Sequence, residues 1–85
     1  MIANKALVVD DSTTDLSNLK AILQDAGWLV NTATNGMQAL ERARLDRPSI
    51  IFLDIVMPQL DGYGTSRALA EDPATKGIPV VFVST

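Results

Sequence analysis

The chain has 85 residues, 47% hydrophobic and 20% charged, a balance that fits one ordinary globular domain and argues against disorder. Ten Asp and Glu against seven Lys and Arg give a formal charge of −3, with the basic residues scattered, which argues against nucleic acid as a direct partner. The absence of Cys and His excludes disulfides, thiolate metal sites and the usual general base, so any chemistry rests on carboxylates, hydroxyls and Lys.

Lys5 to Val9 reads as a first strand that runs into Asp10-Asp11. Ser12 or Thr13 then caps a helix in which Leu16, Leu19, Leu23 and Ala26 recur at helical spacing, and Gly27 supplies the left-handed stop. A second strand is predicted over Trp28 to Ala33, with Trp28 as a core residue. Asn35-Gly36 marks the turn into a second helix whose inward face is expected to carry Met37, Leu40 and either Ala43 or the aliphatic stem of Arg44. The charges Glu41, Arg42, Arg44, Asp46 and Arg47 read as its solvated face.

After Pro48, Ile50 to Leu53 forms a third strand, apolar at successive positions because both faces are covered, and it ends in Asp54. The segment Ile55-Val56-Met57-Pro58-Gln59-Leu60-Asp61-Gly62 is too rich in Pro, Gly and Asp for a continuous element and reads as a loop. A third helix is predicted over Tyr63 to Ala70, a polar connection over Glu71 to Gly77, and a fourth strand over Val80 to Val83, before Ser84 and Thr85. The βαβαβαβ order implies a parallel α/β sheet with right-handed crossovers. Asp10, Asp11 and Asp54 then fall on one rim of that sheet, where the helix N-termini also point.

The turn after the first strand has no glycine to admit a pyrophosphate, so a dinucleotide site is excluded, and no Gly-Lys-Ser/Thr follows any strand to make a phosphate-binding loop. A dehalogenase-type phosphatase needs two aspartates one residue apart at a single strand end, whereas Asp54 is followed by Ile55-Val56. Two acids on one strand and a third on its neighbour suit a hard divalent cation such as Mg²⁺. A carboxylate beside that ion can attack a phosphoryl donor and hold an acyl phosphate. Taken singly, Asp10-Asp11 reads equally well as a helix-capping pair, Asp54 as a turn residue and Ser84 as a small polar strand end. Capping does not account for the second strand-end acid.

The doublet Asp10-Asp11, Asp54, Met57-Pro58, Asp61-Gly62 and the run Pro79-Val80-Val81-Phe82-Val83-Ser84 together resemble the receiver domain of two-component response regulators, with similarity to stand-alone regulators of the chemotaxis and twitching-motility kind. The resemblance covers residues 1–85 and implies a flavodoxin-like fold with strand order 2-1-3-4. It makes Asp54 the phosphoacceptor, Asp11 a direct Mg²⁺ ligand together with Asp54, Asp10 a ligand through water and the backbone carbonyl of Val56 a further ligand. Ser84 matches the hydroxyl that bonds the phosphoryl group, and Thr85 is the less favoured choice. The implied partner is a sensor histidine kinase or a histidine phosphotransfer protein. The implied class is a signalling phosphoacceptor rather than an enzyme, with at most self-catalysed phosphotransfer and autodephosphorylation. No apolar run approaches the ~20 residues of a membrane helix, and the N-terminus lacks a signal-peptide pattern, so a cytoplasmic location is expected.

A complete receiver of this family continues through a fourth helix, a fifth strand ending in a Lys that pairs with the phosphoryl group, and a fifth helix. The sequence stops at Thr85. The expectation is a partial receiver lacking the fifth strand and the last two helices, with Val80 to Val83 as an exposed edge and a tendency to associate with a second copy or a complementing fragment. The competing expectation is an interaction or assembly module that keeps the acidic rim without productive phosphotransfer.

Overall fold

A computed structural model describes residues 4–54 and 62–83 of the chain. Their elements run β1 (Lys5–Val9), α1 (Thr13–Asp25), β2 (Leu29–Ala33), α2 (Gly36–Asp46), β3 (Ile50–Asp54), α3 (Gly62–Glu71) and β4 (Val80–Val83). The strands form one parallel sheet in the order β2-β1-β3-β4. The α/β class is the one read from the order of elements, and the strand order is the one the family resemblance implied.

Local chemistry fixes the element ends. Ser12 caps α1 by accepting from the Asp15 N–H, and Asn35 caps α2 by accepting from the Gln38 N–H at 2.9 Å. At the other end of α1 the Gly27 N–H reaches the Gln24 carbonyl at 2.9 Å and the Trp28 N–H reaches the Leu23 carbonyl at 3.0 Å. That pair of bonds requires a left-handed residue at Gly27, whose φ is 95°. Arg47 makes the corresponding stop after α2 at φ 48°, followed by Pro48.

Pleat alternation sorts the strand residues between two faces. One face carries Leu7, Val9, Ala33, Ile51 and Leu53, which form the core with Ala39 and Ala43 of α2 and Leu69 of α3. On the other face α1 packs over β1 and β2 with Leu16 buried. Phe52 and its register partner Val81 belong to this second face, beyond the reach of α1. They are half-buried and 41% exposed, respectively, so β3 is not covered equally on both sides as its apolar run suggested.

Several sequence expectations need correction. Met37 is 71% exposed and Arg44 lies on the surface, whereas Leu40 and Ala43 pack inward as expected and are joined by Ala39. The reason is spacing: α2 sits close enough to β1 and β2 that small side chains at its contact positions fill the gap. Trp28 precedes β2 instead of starting it and is half-buried, because its N–H is committed to closing α1. The helix charges are also more than a solvated face, since Arg44 pairs with Asp72 at 2.5 Å and Asp46 accepts from Asn31 at 2.8 Å.

Candidate functional site

The site follows from the pairing of β1 with β3. Val9 lies opposite Leu53, so the next residue of each strand path brings Asp10 beside Asp54 at the C-terminal ends of adjacent parallel strands. Asp10 also donates its N–H to the Ala33 carbonyl at 3.1 Å, which ties the end of β1 to β2. One carboxylate oxygen from each of Asp10, Asp11 and Asp54 lies within 4.8 Å of the others. Asp10 and Asp54 are 4% and 7% exposed, whereas Asp11 faces solvent.

Burial of this kind penalises negative charge, and Asp10 shows it. Its carboxyl is pushed up from an ordinary 3.8 to about 6, first by burial, against the lowering effect of the Ser12 N–H, and further by the Asp54 charge and by hydrogen bonding with the Asp11 and Asp54 carboxyl groups. The Ser12 N–H donates to Asp10 Oδ1 at 2.9 Å. Ser12 therefore does two things: its Oγ starts α1, and its backbone steadies Asp10. The sequence reading identified the cap but missed the brace, although an Asp two residues before a helix-capping Ser is the pattern from which an Asx turn is read.

Two buried acids and one exposed acid provide hard oxygen donors with an open side. Mg²⁺ favours this set, because it prefers one or two carboxylates and keeps several waters. The crowding that raises Asp10 is what a divalent cation relieves, so the residues fit the ion. At ~4 Å and an effective dielectric of ~20, two ionised carboxylates repel by about 4 kcal/mol before relaxation.

The structure thus brings together the three acids singled out from the sequence. Val56, Ser84 and Thr85 lie outside the described residues, as do Met57, Pro58 and Asp61. Lys5 starts β1, at the opposite end of the sheet from Asp10, and Lys20 lines a groove of about 240 Å³ with Leu16, Ser17, Thr32 and Thr34. Neither Lys belongs to the acidic cluster. No helix among the described residues is long and apolar enough to cross a membrane.

Comparison with known proteins agrees with this geometry. Residues 6–85 match the family described as the response regulator receiver domain. Protein PilH of Pseudomonas aeruginosa is 41% identical over 81 residues, covering 95% of this chain and 67% of that protein. The solved structure of chemotaxis protein CheY4 of Vibrio cholerae superposes with a TM-score of 0.91 at 33% identity, over 95% of this chain and 68% of that one. The receiver domain of sensor histidine kinase PA1611 from Pseudomonas aeruginosa, solved with a magnesium ion coordinated in its active site cleft, gives a TM-score of 0.89 at 26% identity, covering 95% of this chain and 66% of that one. The chain spans about two thirds of the length of each of these proteins.

Proposed function

The chain belongs to the response regulator receiver domain family, and from that premise we propose that it is the phosphoacceptor of a two-component phosphorelay, with Asp54 as the residue that takes the phosphoryl group. The observation that carries this reading is the convergence of Asp10, Asp11 and Asp54 from β1 and β3 on one rim of the sheet. A carboxylate oxygen of Asp54 attacks phosphorus as the bond from phosphorus to the donor's imidazole nitrogen breaks, leaving an acyl phosphate and a free histidine on the donor. That donor belongs to a sensor histidine kinase or a histidine phosphotransfer protein.

Asp11 and Asp54 would hold Mg²⁺ directly and Asp10 through water, with the Val56 carbonyl completing the set that the family pattern assigns. When bound, the ion offsets negative charge on the transferring group. Asp10, steadied by Ser12, keeps the second buried carboxylate beside Asp54. Burial of Asp54 limits the access of water to the phosphoacceptor. Ser84 supplies the hydroxyl that gains a partner only in the phosphorylated state, and that differential contact biases a conformational switch. In this reading the domain works in the cytoplasm and turns over no separate substrate beyond its own phosphorylation and autodephosphorylation.

Incubation with Mg²⁺ and a small-molecule phosphodonor, followed by intact-mass analysis, tests the proposal. One phosphoryl adduct is expected on the parent chain, and none on Asp54→Ala. An adduct that persists in Asp54→Ala would move the acceptor elsewhere. No adduct on a folded, Mg²⁺-binding parent would favour the interaction-module reading.

A further inference from the structure

β2 is an outer strand of the sheet. Its backbone groups alternate in direction: Leu29 donates its N–H to the Asn4 carbonyl at 2.9 Å, and the Ala33 carbonyl accepts from Asp10 at 3.1 Å. In a parallel ladder this turns Leu29, Asn31 and Ala33 toward β1, and Val30, Thr32 and Thr34 away from the sheet. Outward groups of that kind are the template on which a foreign strand pairs.

Side chains occupy three of them, toward the C-terminal end of the strand. Asn31 Oδ1 accepts from the Thr32 N–H at 2.9 Å, and Arg42 Nη1 donates to the Thr32 carbonyl. Gln38 Oε1 accepts from both the N–H and the Oγ1 of Thr34, each at 2.9 Å. Asn31 is itself held through Nδ2 by Asp46 Oδ2 at 2.8 Å. Gln38, Arg42 and Asp46 all come from α2 and reach successive points along the strand. Gln38 also closes the reciprocal half of the cap at the start of α2, since Asn35 accepts from the Gln38 N–H, but capping does not account for Arg42 or Asp46, which lie beyond the first turn. β4, the other outer strand, has no comparable side-chain cover among the described residues.

We propose that Asn31, Gln38 and Arg42 seal the C-terminal half of the β2 edge, at Thr32 and Thr34, against strand addition by another chain. Thr32 is the centre of the seal, since both its N–H and its carbonyl are engaged. The inference does not depend on phosphotransfer at Asp54.

The test uses the full chain carrying Gln38→Ala and Arg42→Ala, which keep Asn35 as the cap and place the best helix former at both sites. Sedimentation equilibrium reads association, and amide hydrogen exchange at Thr32 and Thr34, followed over a range of protein concentrations, reports whether β2 is the contact. Self-association of the double variant should tighten by roughly tenfold, the scale set by one or two freed backbone hydrogen bonds. This gain is expected although loss of Arg42 makes an already acidic chain more negative. Protection at Thr34, whose acceptor is removed, should become concentration-dependent in the variant, while the Thr32 N–H keeps its Asn31 acceptor. Protection at Thr34 should stay independent of concentration in the parent and in Gln38→Glu, which retains the acceptor. Concentration-dependent protection in the parent would overturn the seal, as would a double variant that loses protection without associating. Should the double variant unfold, Gln38→Ala alone must still show concentration dependence at Thr34, and its absence would equally overturn the proposal.

Discussion

Replacing Asp10 with Asn isolates the electrostatic cost of the acidic rim. The folded protein holds the Asp10 proton more tightly than an unfolded chain does, because the carboxyl rises from 3.8 to about 6, chiefly by burial and secondarily beside Asp54. That difference corresponds to about 3 kcal/mol between the two protonation states. For a group whose folded value is raised, the favourable contribution is fully present below the unfolded value near pH 4 and is lost as pH rises through about 6. The amide introduced by Asp10→Asn would keep an Oδ1 to accept from the Ser12 N–H and would remove the titration. In metal-free buffer at about pH 7.5, Asp10→Asn should therefore be more stable than the parent by roughly 1–3 kcal/mol, the lower end allowing for relaxation around the charged form.

The advantage must shrink as pH falls toward about 4.5, where the parent's Asp10 is already protonated. Urea unfolding at a series of pH values, with EDTA present and with slopes checked for constancy, measures it. An advantage that is flat across this range would show that burial of the charge is not its source, and a variant less stable than the parent at pH 7.5 would refute the reasoning outright. Adding Mg²⁺ should narrow the gap at neutral pH, because a cation bound to the folded parent stabilises it by mass action.

The same titration sets the pH dependence of metal binding: Mg²⁺ affinity, followed by calorimetry, should fall as pH drops through about 6, with proton release on binding measured by changing the buffer. On α2, Met37→Gln should change stability by less than about 0.5 kcal/mol because the side chain is exposed, whereas Ala39→Leu should cost about 1–3 kcal/mol by overpacking the contact with the sheet. Thermal melts of the pair distinguish the observed inward stripe from one centred on Met37. At the two left-handed stops, Gly27→Ala should destabilise by about 1 kcal/mol although a Cβ there meets nothing within 4 Å, and Arg47→Gly should be neutral or stabilising by up to about 1 kcal/mol. A loss of stability in Gly27→Ala with no loss in Arg47→Gly is the required outcome in chemical denaturation.

The order of elements was legible because each signal is local: a β-branched run, a capping Ser or Asn, and a Gly where the helix must turn left-handed. The convergence of acids was legible for the same reason, since strand-end residues of a parallel sheet share a rim whatever the loops do. Helix facing was only partly legible for α2: Leu40 and Ala43 were expected inward and pack there, whereas Met37 was expected inward and is exposed. Hydrophobicity favours Met37, but the distance between helix and sheet selects Ala39 and Ala43, and that distance is set by residues of β1 and β2 far away in sequence. The α2 charges misled in the same way. Arg42, Asp46 and Arg44 all read as surface charges of α2, yet each has a partner outside the helix, at Thr32, Asn31 and Asp72.

The charge cost at the rim is fixed by the core. Asp10 and Asp54 are neighbours because Val9 pairs with Leu53 and Leu7 with Ile51, and these four side chains are buried together on the α2 and α3 face. A one-residue slip of β3 against β1 would separate the acids, but it would also turn Ile51 and Leu53 to the opposite face and strand about 1.5–3 kcal/mol of burial for each. Together these losses, about 3–6 kcal/mol, match the repulsion of about 4 kcal/mol between two close carboxylates, which relaxation lowers further, so the slip brings little or no gain. Nor can Asp10 swing aside freely, with its N–H bound to Ala33 and its Oδ1 to Ser12. The cluster is thus held by packing against its own electrostatics, and the available relief is protonation of Asp10 or an external positive charge. Protonation fades as pH passes about 6. At neutral pH the arrangement therefore favours a cation, and it does so most strongly when Asp10 and Asp54 are both ionised.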